Sequence, residues 1–120
     1  MRQLASSLAT PVFLVDPAGN LIYYNEHAEP ILGQRFEETG AMPVEQWSTM
    51  FQPLDGRGRA IAPESLPLVI ALQQQRPAYK TFWIRGLDGG KRRIGVAAFP
   101  LIGQRKTLVG AVAMFTETPA

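Results

Sequence analysis

The chain has 120 residues, of which 46% are hydrophobic and 18% charged, and its formal net charge is +2. This length and balance predict one soluble globular domain and argue against a disordered segment. Cysteine is absent, which excludes disulfides, thiolate metal sites and cysteine nucleophiles, and no apolar run approaches the roughly 20 residues of a membrane span.

The first ten residues are predicted to form a short N-terminal cap helix that carries Leu4 and Leu8. They lack the basic start and apolar stretch of a secretion signal, so we expect a cytoplasmic protein. Residues 12–15 and 21–24 are apolar runs of strand length. Between them, residues 16–20 (DPAGN) have turn chemistry, because aspartate and asparagine bond to nearby backbone and glycine permits a positive φ. These two strands are predicted to form a hairpin.

Short helices are predicted for the middle of the chain. Asn25 is placed to begin one that Gly33 ends, and a second spans Pro43 to Phe51. Gln52 to Pro63 is predicted to be loop. The strongest helical pattern runs from Glu64 to Gln75, where apolar residues form one stripe and Pro67 lies in the first turn, where its missing N–H costs little.

Three strands are predicted to end the chain. They span Tyr79 to Arg85, Lys91 to Phe99 and Leu108 to Phe115, with a tight turn at 87–90 and a connection from Pro100 to Lys106. Two strands, several helices and three strands around one core indicate an α+β domain over residues 11–118, with a five-stranded antiparallel sheet and helices packed on one face.

This order resembles the PAS family. The resemblance lies in the opening hairpin with the asparagine after it (Val12–Asp16 and Gly19–Asn25), in Ile31–Gly33, in Arg85 with Asp88 and Gly89, and in Pro100 with Leu108–Gly110. It runs from about Leu4 to Phe115. It implies a sensory domain of the kind found ahead of bacterial histidine kinases, diguanylate cyclases or phosphatases, and therefore an output domain or partner protein to signal to.

Cofactor and catalytic chemistry find little support in the residues. Without cysteine, a covalent flavin adduct is excluded, although non-covalent flavin remains open. His27 is the only histidine; haem-binding relatives place their ligand on the later long helix, so haem is not expected. One histidine and scattered carboxylates make no metal cluster, and no serine has a base or nucleophile-elbow motif near it. We expect no enzyme activity.

The resemblance implies an apolar cavity between helices and sheet. Apolar residues on the predicted inner faces are the candidates for its wall, and two polar residues are candidate anchors for a ligand: Trp47, Met50, Phe51, Leu68, Leu72, Phe82, Ile84, Val96 and Ala98, with His27 and Thr81 as anchors. The alternative, equally compatible with this spacing, is that these residues fill a solid core. For His27, a packed or half-exposed histidine with a local hydrogen bond is the simpler interpretation.

The outer face of the sheet is the second candidate surface. Tyr79 and Trp83 are predicted to point away from the core, Phe99 to join them, and Leu4 and Leu8 to cover the patch in their own subunit or in a partner. We therefore expect a homodimer. A ligand-free dimerisation or protein-interaction module with a filled core is the alternative to a ligand sensor.

Charge is distributed unevenly along the chain. Residues 1–75 carry four basic and eight acidic side chains, whereas residues 76–106 carry eight basic side chains and one acidic. A solvated sheet edge is the simpler interpretation of the basic half. The basic clusters are not interleaved with aromatic residues, so no nucleic-acid partner is expected, and no membrane partner is expected either.

Overall fold

The computed structural model describes residues 10–86 and 89–118. The predicted cap helix, including Leu4 and Leu8, lies outside the described residues apart from Thr10, and Leu87 and Asp88 of the predicted turn lie outside them too. No helix within the described ranges is long and apolar enough to cross a membrane.

Five antiparallel strands form one sheet in the order β2-β1-β5-β4-β3. Their bounds are β1 Val12–Val15, β2 Leu21–Tyr24, β3 Ala78–Arg85, β4 Lys91–Ile102 and β5 Leu108–Thr118. The helices are α1 Glu29–Leu32, α2 Phe36–Thr39, α3 Val44–Met50 and α4 Pro67–Gln74, with short 3-10 helices at Pro63–Ser65 and Gln104–Lys106. The predicted α+β class and five-stranded antiparallel sheet are confirmed.

The core lies on one face of the sheet, between the strands and the helices. Strand residues that alternate along each strand point into it, because successive side chains of a strand point to opposite faces. They are Phe13 and Val15 of β1, Phe82 and Ile84 of β3, Ile94, Val96 and Ala98 of β4, and Ala111, Ala113 and Phe115 of β5. The long strands β4 and β5 pair over most of their lengths, so the last hairpin is the centre of the fold.

Two predicted elements have different bounds in the structure. The helix predicted from Glu64 begins at Pro67, because the residue before a proline is driven out of the helical region and Leu66 is extended, with φ −76° and ψ 140°. The predicted connection from Pro100 to Lys106 is also too long. Strand β4 continues through Pro100 to Ile102, since Leu101 and Ile102 still pair with β5.

One turn geometry recurs at three strand connections. In each, the N–H of the first residue donates to the carbonyl of the fifth, and the N–H of the fourth, a glycine with positive φ, donates to the carbonyl of the first. The three segments are 16–20, 55–59 and 86–90, with φ of +92° at Gly19, +78° at Gly58 and +87° at Gly89. The segment predicted to be an irregular loop therefore contains a regular turn around Asp55.

Asn25 joins the start of β1 to the first helical turn. Its side chain is fully buried; Oδ1 accepts hydrogen bonds from the N–H of Val12 at 3.0 Å and of Ala28 at 3.2 Å, and Nδ2 donates to the carbonyl of Thr10 at 2.9 Å. The helix predicted to begin here starts at Glu29, after a turn across residues 26–28. Gly33 ends α1 in the left-handed region, as predicted.

Candidate ligand cavity

An apolar cavity of about 70 Å³ lies between the inner face of the sheet and helices α3 and α4. Every strand except β2 contributes to its wall, and so do α1, α3, α4 and the segment before α4. The lining residues are Phe13, Leu32, Trp47, Ser48, Phe51, Pro53, Leu66, Pro67, Leu68, Phe82, Ile84, Ile94, Val96, Ala113 and Phe115.

A small residue at the centre of the sheet contributes to the cavity. Ala113 lies on β5, the middle strand, and its cross-strand partners are Phe13 on β1 and Ala98 on β4. The short Ala113 side chain leaves a depression on the inner face, and the lining residues Phe13 and Phe115 form its higher walls. A small residue on the middle strand between aromatic side chains therefore contributes to the cavity.

Trp47 closes the side of the cavity next to the first hairpin. Its indole Nε1–H donates to the carbonyl oxygen of Gly19 at 2.8 Å, and its ring meets the ring of Phe13 edge-on, with centroids 5.3 Å apart. A buried indole needs such a partner for its N–H. This bond fixes helix α3 to the β1–β2 turn and holds the indole ring as part of the wall.

Ser48 brings a polar group to this apolar lining. It follows Trp47 on α3 and is 3% exposed; apart from the Trp47 indole, which is bonded to Gly19, the other described lining residues have apolar side chains. Within the described ranges, no buried side-chain nitrogen or oxygen lacks a hydrogen-bond partner. A hydroxyl offers one donor and two acceptor sites, so Ser48 is the lining side chain with the capacity to bond a polar ligand atom.

The segment after α3 covers the cavity and is held against the edge of the sheet. Pro53 is part of the lining, and the next residue, Leu54, exchanges two backbone hydrogen bonds with Trp83 of β3, at 2.8 and 2.9 Å. The turn that follows is closed by Asp55, whose carboxylate accepts from two backbone N–H groups and pairs with Arg59 at 3.1 Å. Those backbone hydrogen bonds are the main cause that lowers the pKa of Asp55.

The predicted wall residues divide into two groups. Trp47, Phe51, Leu68, Phe82, Ile84 and Val96 line the cavity. The others are placed elsewhere: Met50 and Leu72 are partly buried and pack against the core, and Ala98 is fully buried on the inner face but does not reach the cavity. Those three side chains fill space around the cavity.

Neither predicted anchor lies at the cavity. His27 is half-buried in the turn before α1, and Thr81 pairs with Gly95 on the outer face. Since Phe82 points inward, its neighbour Thr81 has to point outward. Ser48, the polar residue that does line the cavity, has a sequence signal in its spacing: it lies three residues before Phe51, and such a spacing places two residues on the same side of a helix.

The outer face of the sheet carries two apolar cross-strand rows. Leu14, Val112 and Phe99 form one row, and Val12, Met114, Ala97 and Tyr79 form the other. Tyr79 is 68% exposed and its hydroxyl lies over Gly95, at 2.6 Å from where a β-carbon would be. Phe99 and Met114 are also exposed. Trp83 is half-buried, with the Lys91 ammonium 5.0 Å from its ring centroid.

The described residues contain no candidate metal site. No group of three histidine, aspartate or glutamate side chains within the described ranges is placed to hold a metal ion.

Comparisons with known proteins identify the fold. No protein-family model matches the chain, and no curated protein matches it. Solved structures do match: the PAS domain of a protein from Colwellia psychrerythraea (18% identity, 97% of this chain and 92% of that chain, TM-score 0.69), the PAS domain of Bordetella pertussis BvgS (14%, 100% and 84%, 0.67) and the PAS domain of nitrogen regulation protein NR(II) from Vibrio parahaemolyticus (14%, 98% and 96%, 0.66).

The chain is thus an α+β domain with a single antiparallel sheet in the order β2-β1-β5-β4-β3 and helices on one face. In particular, it has the PAS fold, as the residue pattern predicted.

Proposed function

We propose that this chain is a sensory signalling domain of the PAS type, which binds a small apolar molecule in the cavity and signals through the outer face of the sheet in a homodimer. The observation that carries the proposal is the apolar cavity of about 70 Å³ between the helices and the inner face. A PAS domain of a two-component sensor histidine kinase has a similar fold, with a TM-score of 0.65 at 12% identity. The chain would regulate an output domain or a partner protein.

The size and chemistry of the cavity define the ligand class. Drug-sized ligands occupy pockets of roughly 300–1,000 Å³, and an engineered apolar cavity of about 150 Å³ takes benzene or xenon. A cavity of about 70 Å³ is far smaller than flavin or haem requires. The ligand would be an apolar molecule of a few heavy atoms, with at most one polar atom placed to bond Ser48.

Strand β5 offers a route from the cavity to the outer face. Ala113 and Phe115 point into the cavity, whereas the alternate residues Val112 and Met114 point to the outer face. A ligand larger than the cavity that packs against this wall would displace α3 or this strand. Because a sheet is one residue thick, displacement of β5 moves Val112 and Met114, and a partner that prefers one position would read it.

Native mass spectrometry of the purified chain, with an absorbance spectrum, is the first test. We expect a dimer, and a mass increment if a ligand stays bound. Xenon binding followed by NMR then tests the cavity directly. The variant Ala113→Val adds two methyl groups to the cavity wall and should abolish xenon shifts, whereas Ala97→Val, the same change on the outer face of the adjacent strand, should preserve them. Xenon shifts that persist in Ala113→Val would contradict the proposal.

Ser48 provides a test of ligand chemistry. A ligand with one polar atom should bind Ser48→Ala up to about tenfold more weakly than the unaltered chain, because a net hydrogen bond contributes roughly 0.5–1.5 kcal/mol. A short-chain alcohol and the alkane of equal length are suitable probes. If both probes lose affinity equally in Ser48→Ala, the hydroxyl does not anchor the ligand.

The second candidate is a ligand-free dimerisation or interaction module. The exposed aromatic side chains of Tyr79 and Phe99 on the outer face favour it, since aromatic residues are enriched at protein interfaces. Phe99→Arg should shift the dimer towards monomer in analytical ultracentrifugation. Glu64→Arg, the same introduced residue on the helical side, should leave the dimer unchanged. A dimer in Phe99→Arg as stable as the original would place the interface elsewhere.

A further inference from the structure

The hairpin between β4 and β5 extends past the rest of the sheet as a two-stranded arm. On one side, the pairing of β3 with β4 ends where Ala78 lies opposite Ala98. On the other side, the pairing of β1 with β5 ends where Val15 lies opposite Ala111. Beyond these pairs, Leu101 and Ile102 of β4 and residues 108–110 of β5 pair only with each other. The tip, residues 103–107, is fully exposed.

The tip is a tight turn with two consecutive cations in an uncommon conformation. Arg105 has φ +58° and ψ +29°, and Lys106 has φ +60°. Thr107 N–H donates to the carbonyl of Gln104 at 3.1 Å, which makes Arg105 and Lys106 the central pair of a type I′ turn. Asparagine and glycine are the residues that favour these positions, and side chains such as arginine and lysine are strained there. The tip therefore retains two cations at a cost in stability.

Among the residues that the structure describes, no acidic side chain forms an ion pair with these cations. Residues 89–116 contain no aspartate or glutamate, and neither Arg105 nor Lys106 takes part in the ion pairs of the described residues. Asp16, at the base of the arm, uses its carboxylate to accept from Ala18 and Asn20 in its own turn. The tip is a locally cationic surface.

Aliphatic side chains flank the cations. Ile102 is 47% exposed and Val109 is 53% exposed; the γ-carbon of Val109 lies 3.0 Å from where a β-carbon on Gly103 would be, so its side chain lies across the arm at the tip. The tip thus presents exposed aliphatic groups next to cations. This combination is complementary to a surface with anionic groups outside and an apolar layer beneath. Anionic lipid headgroups above acyl chains have this arrangement.

We propose that the tip of this arm docks on anionic membrane surfaces, with Ile102 and Val109 inserted at the headgroup boundary and Arg105 and Lys106 against the lipid phosphates and carboxylates. A specific protein interface needs roughly 800 Å² from each partner, more than a few tip side chains provide, whereas a membrane contact needs only a tip. The expectation of no membrane partner rested on the absence of a spanning segment, and a peripheral contact needs none. Binding is weak, reversible and sensitive to salt.

Co-sedimentation of the 120-residue chain with vesicles tests the proposal. Phosphatidylcholine vesicles that contain phosphatidylserine should bind it at low salt, and pure phosphatidylcholine vesicles should not. The double variant Arg105→Asn/Lys106→Gly should bind roughly 30-fold more weakly, because each cation near an anionic surface contributes about 1 kcal/mol. The same variant should melt at a temperature about 5 °C or more above the original, since the turn strain is relieved, so its lost binding cannot be attributed to misfolding.

Two further variants complete the test. Arg57→Gln/Lys91→Gln removes two cations at the opposite end of the sheet, and it should bind within about threefold of the original. Ile102→Thr/Val109→Thr should weaken binding while it keeps β-branched residues in the strands. The proposal is overturned if both vesicle types bind equally or not at all, or if the control pair matters as much as the tip. It is also overturned if the Ile102 and Val109 pair does not matter, which would indicate a polyanion such as nucleic acid.

Discussion

Replacing Asn25 by alanine tests how strongly one buried amide stabilises the start of the sheet. The side chain joins Thr10, Val12 and Ala28 through three hydrogen bonds of 2.9 to 3.2 Å. Its removal leaves the Val12 N–H buried without that partner, whereas the Ala28 N–H keeps a 3.0 Å bond to the Asn25 backbone carbonyl. Thr10 is only half-buried, so water can satisfy its carbonyl.

The magnitude follows from those three environments. An unsatisfied buried N–H costs about 1–3 kcal/mol, and the cavity left by the amide adds about 1 kcal/mol. We therefore expect Asn25→Ala to lower the free energy of unfolding by about 3 kcal/mol, a large share of the roughly 5–15 kcal/mol that a domain has.

Urea unfolding followed by tryptophan fluorescence measures this loss, because Trp47 is buried in the folded state. Glu26→Ala changes the next residue, which is exposed, and should stay within about 0.5 kcal/mol of the original. If Asn25→Ala also stays within that range, the amide does not stabilise the junction, and the role assigned to it is wrong.

Three further changes test other parts of the fold. Gly110→Ala should lower the unfolding free energy by about 3–5 kcal/mol in urea titration, because Gly110 has φ +146° and a β-carbon there would overlap the carbonyl oxygen of Val15; a milder loss would mean that the start of β5 can shift. Trp47→Phe should cost about 1–3 kcal/mol, as the buried Gly19 carbonyl loses its donor, and normal stability would show that another donor replaces the indole. Burial, first, and the charges of nearby glutamates raise the pKa of Tyr24 above its usual 10.0, against a lowering hydrogen bond with Thr39. The folded state therefore favours the neutral phenol, so this stabilisation is complete below pH 10.0 and is lost as pH rises through the raised folded pKa; Tyr24→Phe should flatten the decline in stability on the alkaline side, and an unchanged slope would contradict the assignment.

The strand pattern was the most informative part of the sequence. Alternation in β3 and β4 placed Phe82, Ile84 and Val96 on the inner face correctly, because a strand leaves only two directions for a side chain. The same rule excludes Thr81 from the cavity, so its prediction as an anchor was inconsistent with the pattern. Turn chemistry likewise located the first hairpin, where Asp16 accepts three hydrogen bonds within its own turn.

Helix starts and strand ends were predicted less well. The Glu64 to Gln75 stripe is helical only from Pro67, because the steric effect of a proline on the residue before it outweighs periodicity. The arm was hidden for another reason. Pro100 favours a break in a strand pattern, yet β4 continues through it to Ile102, paired with β5. Ile102 and Val109 therefore lie next to the two cations of the turn. Neither the β4 segment nor the β5 segment predicts this by itself.

The cavity could be predicted only as a feature of the fold that the chain resembles, since its volume depends on four strands, three helices and the segments next to them. Whether a core is solid is decided by a few side-chain volumes, and here the small Ala113 on the middle strand leaves space while Trp47 and Phe51 limit it. This balance has a consequence for the proposed sensor. Interiors are close-packed and yield in discrete steps, so a molecule somewhat larger than the cavity that packs against its wall would move α3 or β5. A cavity slightly too small for its ligand would therefore couple occupancy to the outer face, where a spacious pocket would not.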